Sequence, residues 1–507
     1  MGEADDESPS ELAPISTRIA IIGSGFGGLG AAIRLKEADE HDFVILERAQ
    51  DVGGTWRDNT YPGCRCDVQS NLYSFSFELN PSWSDTYPSQ AEIWDYLKDV
   101  AAQHRLSTHL RFGCEVTAVA FDESRGRWRL STAAGPAVDA DIVILATGAL
   151  AEARLPAIEG IDSFAGPTIH SAAWDDEVEL GSKRVGVIGT GASSIQIVPA
   201  IVDVAGPMTV FQRTAPWILP HPGHPVSSRA KALYRRLPLA QRLARWSDYW
   251  LREWLVIPFV KRPAMMAKAE AQATEHLEAQ IVDPALRAKL RPSFRLGCKR
   301  VLLSDDYYPA IARDSTRLET RPISRVVPEG VVLDDGQLVE LDVLIAATGF
   351  QVTDNPTASL VVGRDGLRLD EAYAGTLPSY KGTSFPGFPN LFMITGPNTA
   401  LGHSSMVFMI ESQLNYISAA IAALSASGAS LVEPRHEVAA REAAAIQAKL
   451  PATVWGTGCS SWYNNAAGKN VTIWPDFTFR YRAATRHFRR DDHVISLRPG
   501  SGGINPG

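Results

Sequence analysis

The stretch that decides the fold is Arg18-Ile19-Ala20-Ile21-Ile22-Gly23-Ser24-Gly25-Phe26-Gly27-Gly28. A β-branched run ends in a glycine turn, and the turn leads into Ala31-Ala32-Ile33-Arg34-Leu35-Lys36, which reads as helix. Strand, glycine turn and helix in that order make a dinucleotide cradle. Backbone N–H groups at the helix start, around Phe26, meet a pyrophosphate, and Gly23, Gly25 and Gly28 let it approach without a Cβ in the way. A second apolar run, Phe43 to Leu46, ends in Glu47, 19 residues beyond Gly28, where a carboxylate can accept hydrogen bonds from a ribose.

The pattern starts again at Arg184 to Ile188, followed by Gly189-Thr190-Gly191-Ala192-Ser193-Ser194 and an apolar helix containing Gln196. Here the second strand, Met208 to Gln212, ends in Arg213 instead of an acid. A guanidinium at that place pairs with a 2′-phosphate and favours NADP over NAD. Two cradles of different type imply a flavoprotein that takes hydride from NADPH, with FAD in the first and NADP in the second.

Outward from the cradles, Ile142–Leu145 and Val343–Ile345 are apolar runs that end in Ala-Thr-Gly, each read as a return to a sheet edge. Between about 225 and 295 lies an Ala-, Leu- and Arg-rich helical stretch in which Trp246, Trp250 and Trp254 recur every four residues. That stripe reads either as core packing of one helix face or as an apolar channel or membrane-surface patch. The expected fold class is α/β: two dinucleotide-binding, Rossmann-like domains, the NADP domain inserted into a discontinuous FAD domain and carrying a helical insertion. The expected boundaries are a tail over 1–15, an FAD domain from 16–150 and 346–490, an NADP domain over 151–345, and a flexible tail over 491–507.

The 507 residues include 57 acidic and 49 basic side chains, for a net charge of −8. An acidic balance gives no global basic field for nucleic acid, and 45% hydrophobic with 21% charged residues excludes wholesale disorder. The first residues lack the basic and apolar regions of a signal peptide. Trp254 to Val260, read as the most hydrophobic later stretch, falls short of the ~20 residues that span a bilayer, so no transmembrane segment is expected. Five cysteines cannot form a disulfide framework, and their odd count fits a reduced, cytoplasmic setting. Cys114, Cys298 and Cys459 stand alone, without the paired ligands a metal site needs. The pair Cys64-Arg65-Cys66 raises a disulfide-reductase alternative, but one intervening residue makes a strained ring.

Two linear signatures then carry a resemblance. Phe164, Gly166, His170, Trp174 and Asp175 fit the fingerprint FxGxxxHxxxW followed by Pro or Asp, and Gly53-Gly54-Thr55-Trp56 with Tyr61-Pro62-Gly63 and Asp67 fits a second. From residue 18 to about 480 the chain resembles the flavin-dependent monooxygenases, and within them the type I Baeyer–Villiger monooxygenases. Trp174 and Asp175 favour that branch over relatives that oxygenate only sulfur or nitrogen.

The resemblance implies FAD and NADPH as cofactors, O2 as oxidant and a small-molecule ketone as substrate, which becomes an ester or lactone. It implies that Arg300, in Gly297-Cys298-Lys299-Arg300, sits over the flavin and stabilises anionic oxygen, that Asp67 orients it, and that Lys299 reaches the NADP 2′-phosphate. By the same resemblance Arg48, Gly54, Thr55, Trp56, Asp67, Tyr73, Val116 and Met406 belong to the flavin side. Thr190, Gly191, Ala192, Ser193, Gln196, Arg213, Thr214 and Trp462 belong to the nucleotide side, and His170 is structural. Ala400-Leu401-Gly402-His403 departs from well-known relatives, in the region that lines the substrate pocket. A heteroatom oxygenase and a redox-silent flavoprotein remain as alternatives.

Overall fold

A computed structural model describes residues 13–459 and 461–499; most of the expected N-terminal tail and residues 500–507 lie outside them. Two sheets organise the chain. The first runs, in spatial order, Val361–Val362, Val116–Asp122, Arg127–Thr132, Val138–Leu145, Ile15–Ile22, Phe43–Leu46 and Leu110–Arg111, with Leu391–Met393 also paired to Val138–Leu145. The strands from Val138 onward in that order are parallel. The second sheet is parallel throughout, in the order Thr316–Glu319, Met208–Phe211, Val185–Ile188, Val343–Ala346, Thr168–His170. All of its strands fall between the two stretches of chain that build the first, so one nucleotide-type unit is inserted into the other.

The returns at 142–145 and 343–345 are not sheet edges. Val138–Leu145 has neighbours on both sides, and Val343–Ala346 lies between Val185–Ile188 and Thr168–His170. Unbroken burial of Val343–Ala346 and of nearly all of Val138–Leu145 is what interior parallel strands require, because helices cover both faces. The first strand begins at Ile15, three residues before the run that announces it. At the other end, His493–Ser496 pairs antiparallel with Leu431–Pro434, which corrects the reading of 491–507 as one flexible tail.

The helix Met406–Ser427, not the 254–260 stretch, is the one helix among the described residues long and apolar enough to cross a bilayer. Val407, Ile410, Leu414, Ile417 and Ile421 instead pack into the core beside Leu29, Ile33 and Phe75. Helices at Ser228–Arg236, Pro238–Trp254, Met266–Gln280 and Pro284–Leu290 occupy the expected helical stretch. Core packing of the Trp stripe does not hold: Trp246 and Trp254 are 62% and 65% exposed. The buried side chains of that helix are Gln241, Arg245 and Glu253.

Candidate active site

The first cradle is built as its glycines require. Gly23 has φ +99°, and a Cβ there would lie 2.7 Å from the Ala146 carbonyl oxygen; one at Gly28 would lie 1.9 Å from the Gly23 oxygen. Gly25 immediately precedes the helix Phe26–Glu37. Gly54, at φ +53°, packs on Gly25, with its Cβ position 3.3 Å from the Gly25 Cα. The two glycine turns therefore form one floor. Beside it, Trp56 Nε1 donates to the Tyr73 hydroxyl at 3.2 Å, and the Trp56 and Phe26 rings both meet Tyr73 edge-on at 5.4 Å. Thr55 Oγ1 donates to the Leu150 carbonyl, Arg48 pairs with Glu152, and Val116 opens its strand at the side of the same sheet.

Glu47 is buried, and its carboxylate accepts from Ser24 N, Ser24 Oγ and Ala49 N and pairs with Arg57. Burial works to raise its pKa, but these partners hold it below the usual value. With about four acceptor positions on a carboxylate, a ribose hydroxyl reaching Glu47 would displace one of these bonds.

The second cradle repeats the first strand–turn contact. Gly189 has φ +112°, and its Cβ would lie 2.5 Å from the Ala347 oxygen, while space beside Gly191 is open. Thr190 Oγ1 donates to the Thr214 carbonyl, closing the turn onto the segment after Met208–Phe211. Ala192 and Ser193 lead into the helix Ser194–Ile201. Gln196 faces elsewhere: it accepts from the Tyr61 hydroxyl at 2.9 Å and donates to the Arg65 carbonyl at 3.1 Å, so it ties this helix to the loop before Asp67. Arg213 and Lys299, 86 positions apart in sequence, come close enough to interact. Burial, then repulsion from Arg213, pushes the Lys299 ammonium below its usual pKa, and among the described residues neither cation has an acidic partner. Two unneutralised cations held together describe an anion site.

Arg300 lies across from Asp67. Its Nε donates to Asp67 Oδ2 at 2.7 Å, its Nη2 to Oδ1 at 2.5 Å, and its Nη1 to the Leu401 carbonyl at 3.2 Å. This bidentate pair is the strong form of a guanidinium–carboxylate contact. Burial opposes both charges, but Arg300 and Arg252 hold the Asp67 carboxyl below its usual range, and Asp67 holds Arg300 above its own. Some 28% of the Arg300 side chain stays accessible, enough to meet a ligand. Arg252, which the motifs do not reveal, donates to the Asp67 carbonyl and to Gln69. Tyr463 is buried nearby; burial pushes its hydroxyl up to about 12, against the pull of Arg300.

The isolated-cysteine reading is corrected: Cys298 and Cys459 form a disulfide, with Cα atoms 6.3 Å apart. It ties the loop of Lys299 and Arg300 to the loop of Trp462 and Tyr463. Cys64 and Cys66 are free thiols, and burial raises the pKa of both. Met406 starts its helix and packs with Leu401, Met409 and Tyr481; Trp462 is 40% exposed and stacks obliquely on Tyr463 at 4.3 Å. His403 is the polar group that motif reading left without a role. It is 3% exposed, and neither ring nitrogen has a partner among the described residues. In the fingerprint, a Cβ at Gly166 would lie 2.3 Å from the Asp342 oxygen. His170 ends an edge strand and accepts from Ala172 N.

The family model described as pyridine nucleotide-disulphide oxidoreductase matches residues 20–232. A protein of Streptomyces coelicolor named Baeyer–Villiger monooxygenase is 45% identical over 484 residues, covering 95% of this chain and 93% of that one. One of the same name from Pseudomonas aeruginosa is 42% identical, covering 97% and 94%. Among solved structures, cyclohexanone monooxygenase from Rhodococcus sp. Phi1 bound to NADP+ superposes with a TM-score of 0.83 at 29% identity, covering 96% of this chain and all of that one. Identity of this level over nearly the whole of both chains, on a fold with two glycine cradles and an Arg300–Asp67 pair, means that this chain belongs to the Baeyer–Villiger monooxygenases.

Proposed function

We propose that this chain is an FAD- and NADPH-dependent monooxygenase that inserts one oxygen atom of O2 beside a ketone carbonyl, and that Arg300 is the fixed cation of the reaction. The observation that carries the role of Arg300 is its bidentate hold on Asp67 with one side left accessible.

The residues present fit both groups. Gly23, Gly28 and Gly189 sit so close to neighbouring backbone that no Cβ fits, which holds each turn tight against its sheet, and the open space beside Gly191 is where a second pyrophosphate would lie. The Ser194 hydroxyl is buried without a partner beside that second turn, as a donor awaiting a phosphate would be. We assign FAD to 16–150 with 346–490, and NADP to 151–345. FAD supplies the redox chemistry that couples NADPH oxidation to O2. The chain's own contribution is positional and electrostatic. Arg213 and Lys299 take the 2′-phosphate. Arg300, charged at every working pH, would stabilise the negative charge that develops on the substrate's carbonyl oxygen when an oxygen nucleophile adds to the carbonyl carbon, before carbon migrates. Asp67 fixes the direction in which Arg300 donates. Trp462 and Tyr463 cover the nucleotide side and exclude water.

The test is NADPH-driven O2 uptake by the purified yellow protein across cyclic, linear and aromatic ketones and sulfides, with products identified by mass spectrometry. Esters or lactones are expected. Sulfoxides alone would move the chain to the heteroatom oxygenases, and no NADPH consumption with FAD bound would make it redox-silent.

A further inference from the structure

The helix Pro238–Trp254 is inside out. At 3.6 residues per turn, Leu239, Leu243, Trp246, Trp250 and Trp254 line one stripe, and Gln241, Arg245, Asp248 and Arg252 line the opposite one. The polar stripe is the one that packs. Gln241 donates to Asn71 and Asn80, Arg245 to the carbonyls of Asn71 and Ser74, and Arg252 to Gln69 and the Asp67 carbonyl. Glu253 closes the end by accepting from Thr478 N and Thr478 Oγ1. The apolar stripe is left to solvent, with Leu239, Leu243, Trp246 and Trp254 between 57% and 65% exposed. Phe479, 40% exposed and 6.1 Å from Trp250, widens it.

Charge around the stripe is of one sign. From Ser228 to Lys268 there are ten Lys and Arg and two acids, in a chain of net charge −8. Both acids turn inward: Glu253 is 1% exposed, and Asp248 is desolvated beside Asn71. Arg229, Arg236, Arg242, Arg262 and Lys268 are exposed. Exposed Trp and Leu along a ridge with basic side chains at its flanks is the arrangement that settles at the boundary between headgroups and acyl chains.

We propose that this face docks on an anionic lipid bilayer, Trp246, Trp250 and Trp254 entering the interface and the flanking arginines meeting lipid phosphates. Charge complementarity selects this occupant over a second copy of the chain. A two-fold contact sets each patch against itself, and because the exposed charges from Ser228 to Lys268 are all basic, like charges would face one another across it. The bilayer would lie one helix diameter, about 10–12 Å, from the backbone of Asp67. The catalytic cleft would thus be held near a phase that concentrates apolar ketones.

The test is flotation of the full-length, FAD-loaded protein with phosphatidylcholine vesicles, with and without about one third phosphatidylglycerol. We expect co-flotation with the anionic vesicles only, weakened by added salt. The double variants Trp246→Ser/Trp254→Ser and Arg236→Glu/Arg242→Glu should each float at least about fivefold less, with wild-type flavin content and melting temperature. All four substituted side chains are exposed, so the fold should tolerate them. Flotation with neither vesicle overturns the proposal, as does flotation unchanged by either variant. Concentration-dependent self-association that the tryptophan variant abolishes, without flotation, overturns it in favour of a copy-to-copy contact.

Discussion

Arg300 works through a partner, which makes its substitution informative. Arg300→Ala should lower ester formation by about 10²–10³, the usual loss when one preorganised donor to a developing oxyanion is removed, while NADPH oxidation continues. Product and NADPH measured together check this, and a variant with full product yield would remove Arg300 from the chemistry. Lys299 and Arg213 make a different prediction. Each bond to a charged phosphate contributes about 1.5–3 kcal/mol, so Lys299→Ala or Arg213→Ala should raise KM for NADPH about tenfold or more and leave NADH nearly unchanged. Equal shifts for both nucleotides would mean that the 2′-phosphate is read by other residues. Arg213 was legible from its strand-end position, whereas Lys299 and Arg300 were singled out by their resemblance to the family's Lys-Arg stretch, since such a pair taken alone reads as solvated surface. Arg252 was not legible, since nothing near it announces that it reaches back 185 positions to the Asp67 carbonyl.

At the level of elements, the cradles were readable because strand, turn and helix are contiguous and the glycine spacing reports a contact. Gly28→Ala tests that contact: its Cβ would fall 1.9 Å from the Gly23 oxygen, so bound FAD should be lost and the melting temperature should drop. Other elements were unreadable for reasons that can be named. An apolar run says that Ile142–Leu145 is buried but not which strands flank it, since strand order depends on distant pairings. Periodicity says that Trp246, Trp250 and Trp254 share a face but carries no sign for which face meets solvent. That sign came from Asn71, Ser74 and Gln69, which offer the helix polar partners. The bond between Cys298 and Cys459 spans 161 positions and leaves no local trace. Its removal by Cys298→Ser should cost about 2–4 kcal/mol of stability, read as a lower urea midpoint, and reduction of the wild type should reproduce it.

Across the whole molecule, acid should act in two stages. Burial holds the His403 imidazole down to about 3, so the unfolded chain takes a proton near the ordinary histidine pKa while the native chain refuses it. Stability should therefore fall as pH drops from about 6.5 toward 3. Asp476 behaves in the second stage. It is buried beside Lys261, Lys449 and Arg480, and although burial works against the charge, the cations hold its carboxyl at about 2. Its contribution is complete above the ordinary aspartate pKa and is lost as pH falls from about 4 through 2. Urea midpoints against pH should flatten between 6 and 4 in His403→Gln and only below 4 in Asp476→Asn; a His403→Gln slope equal to wild type would show that another group bears the first stage. The disulfide has one more consequence at this scale. Residues 298 to 459 form a closed covalent loop that holds Arg300, the second sheet's last interior strand and the whole of the Met406–Ser427 helix. A single protease cut anywhere inside that loop would leave both fragments travelling together until a reductant parts them, so a nicked enzyme could pass for an intact one on a non-reducing gel.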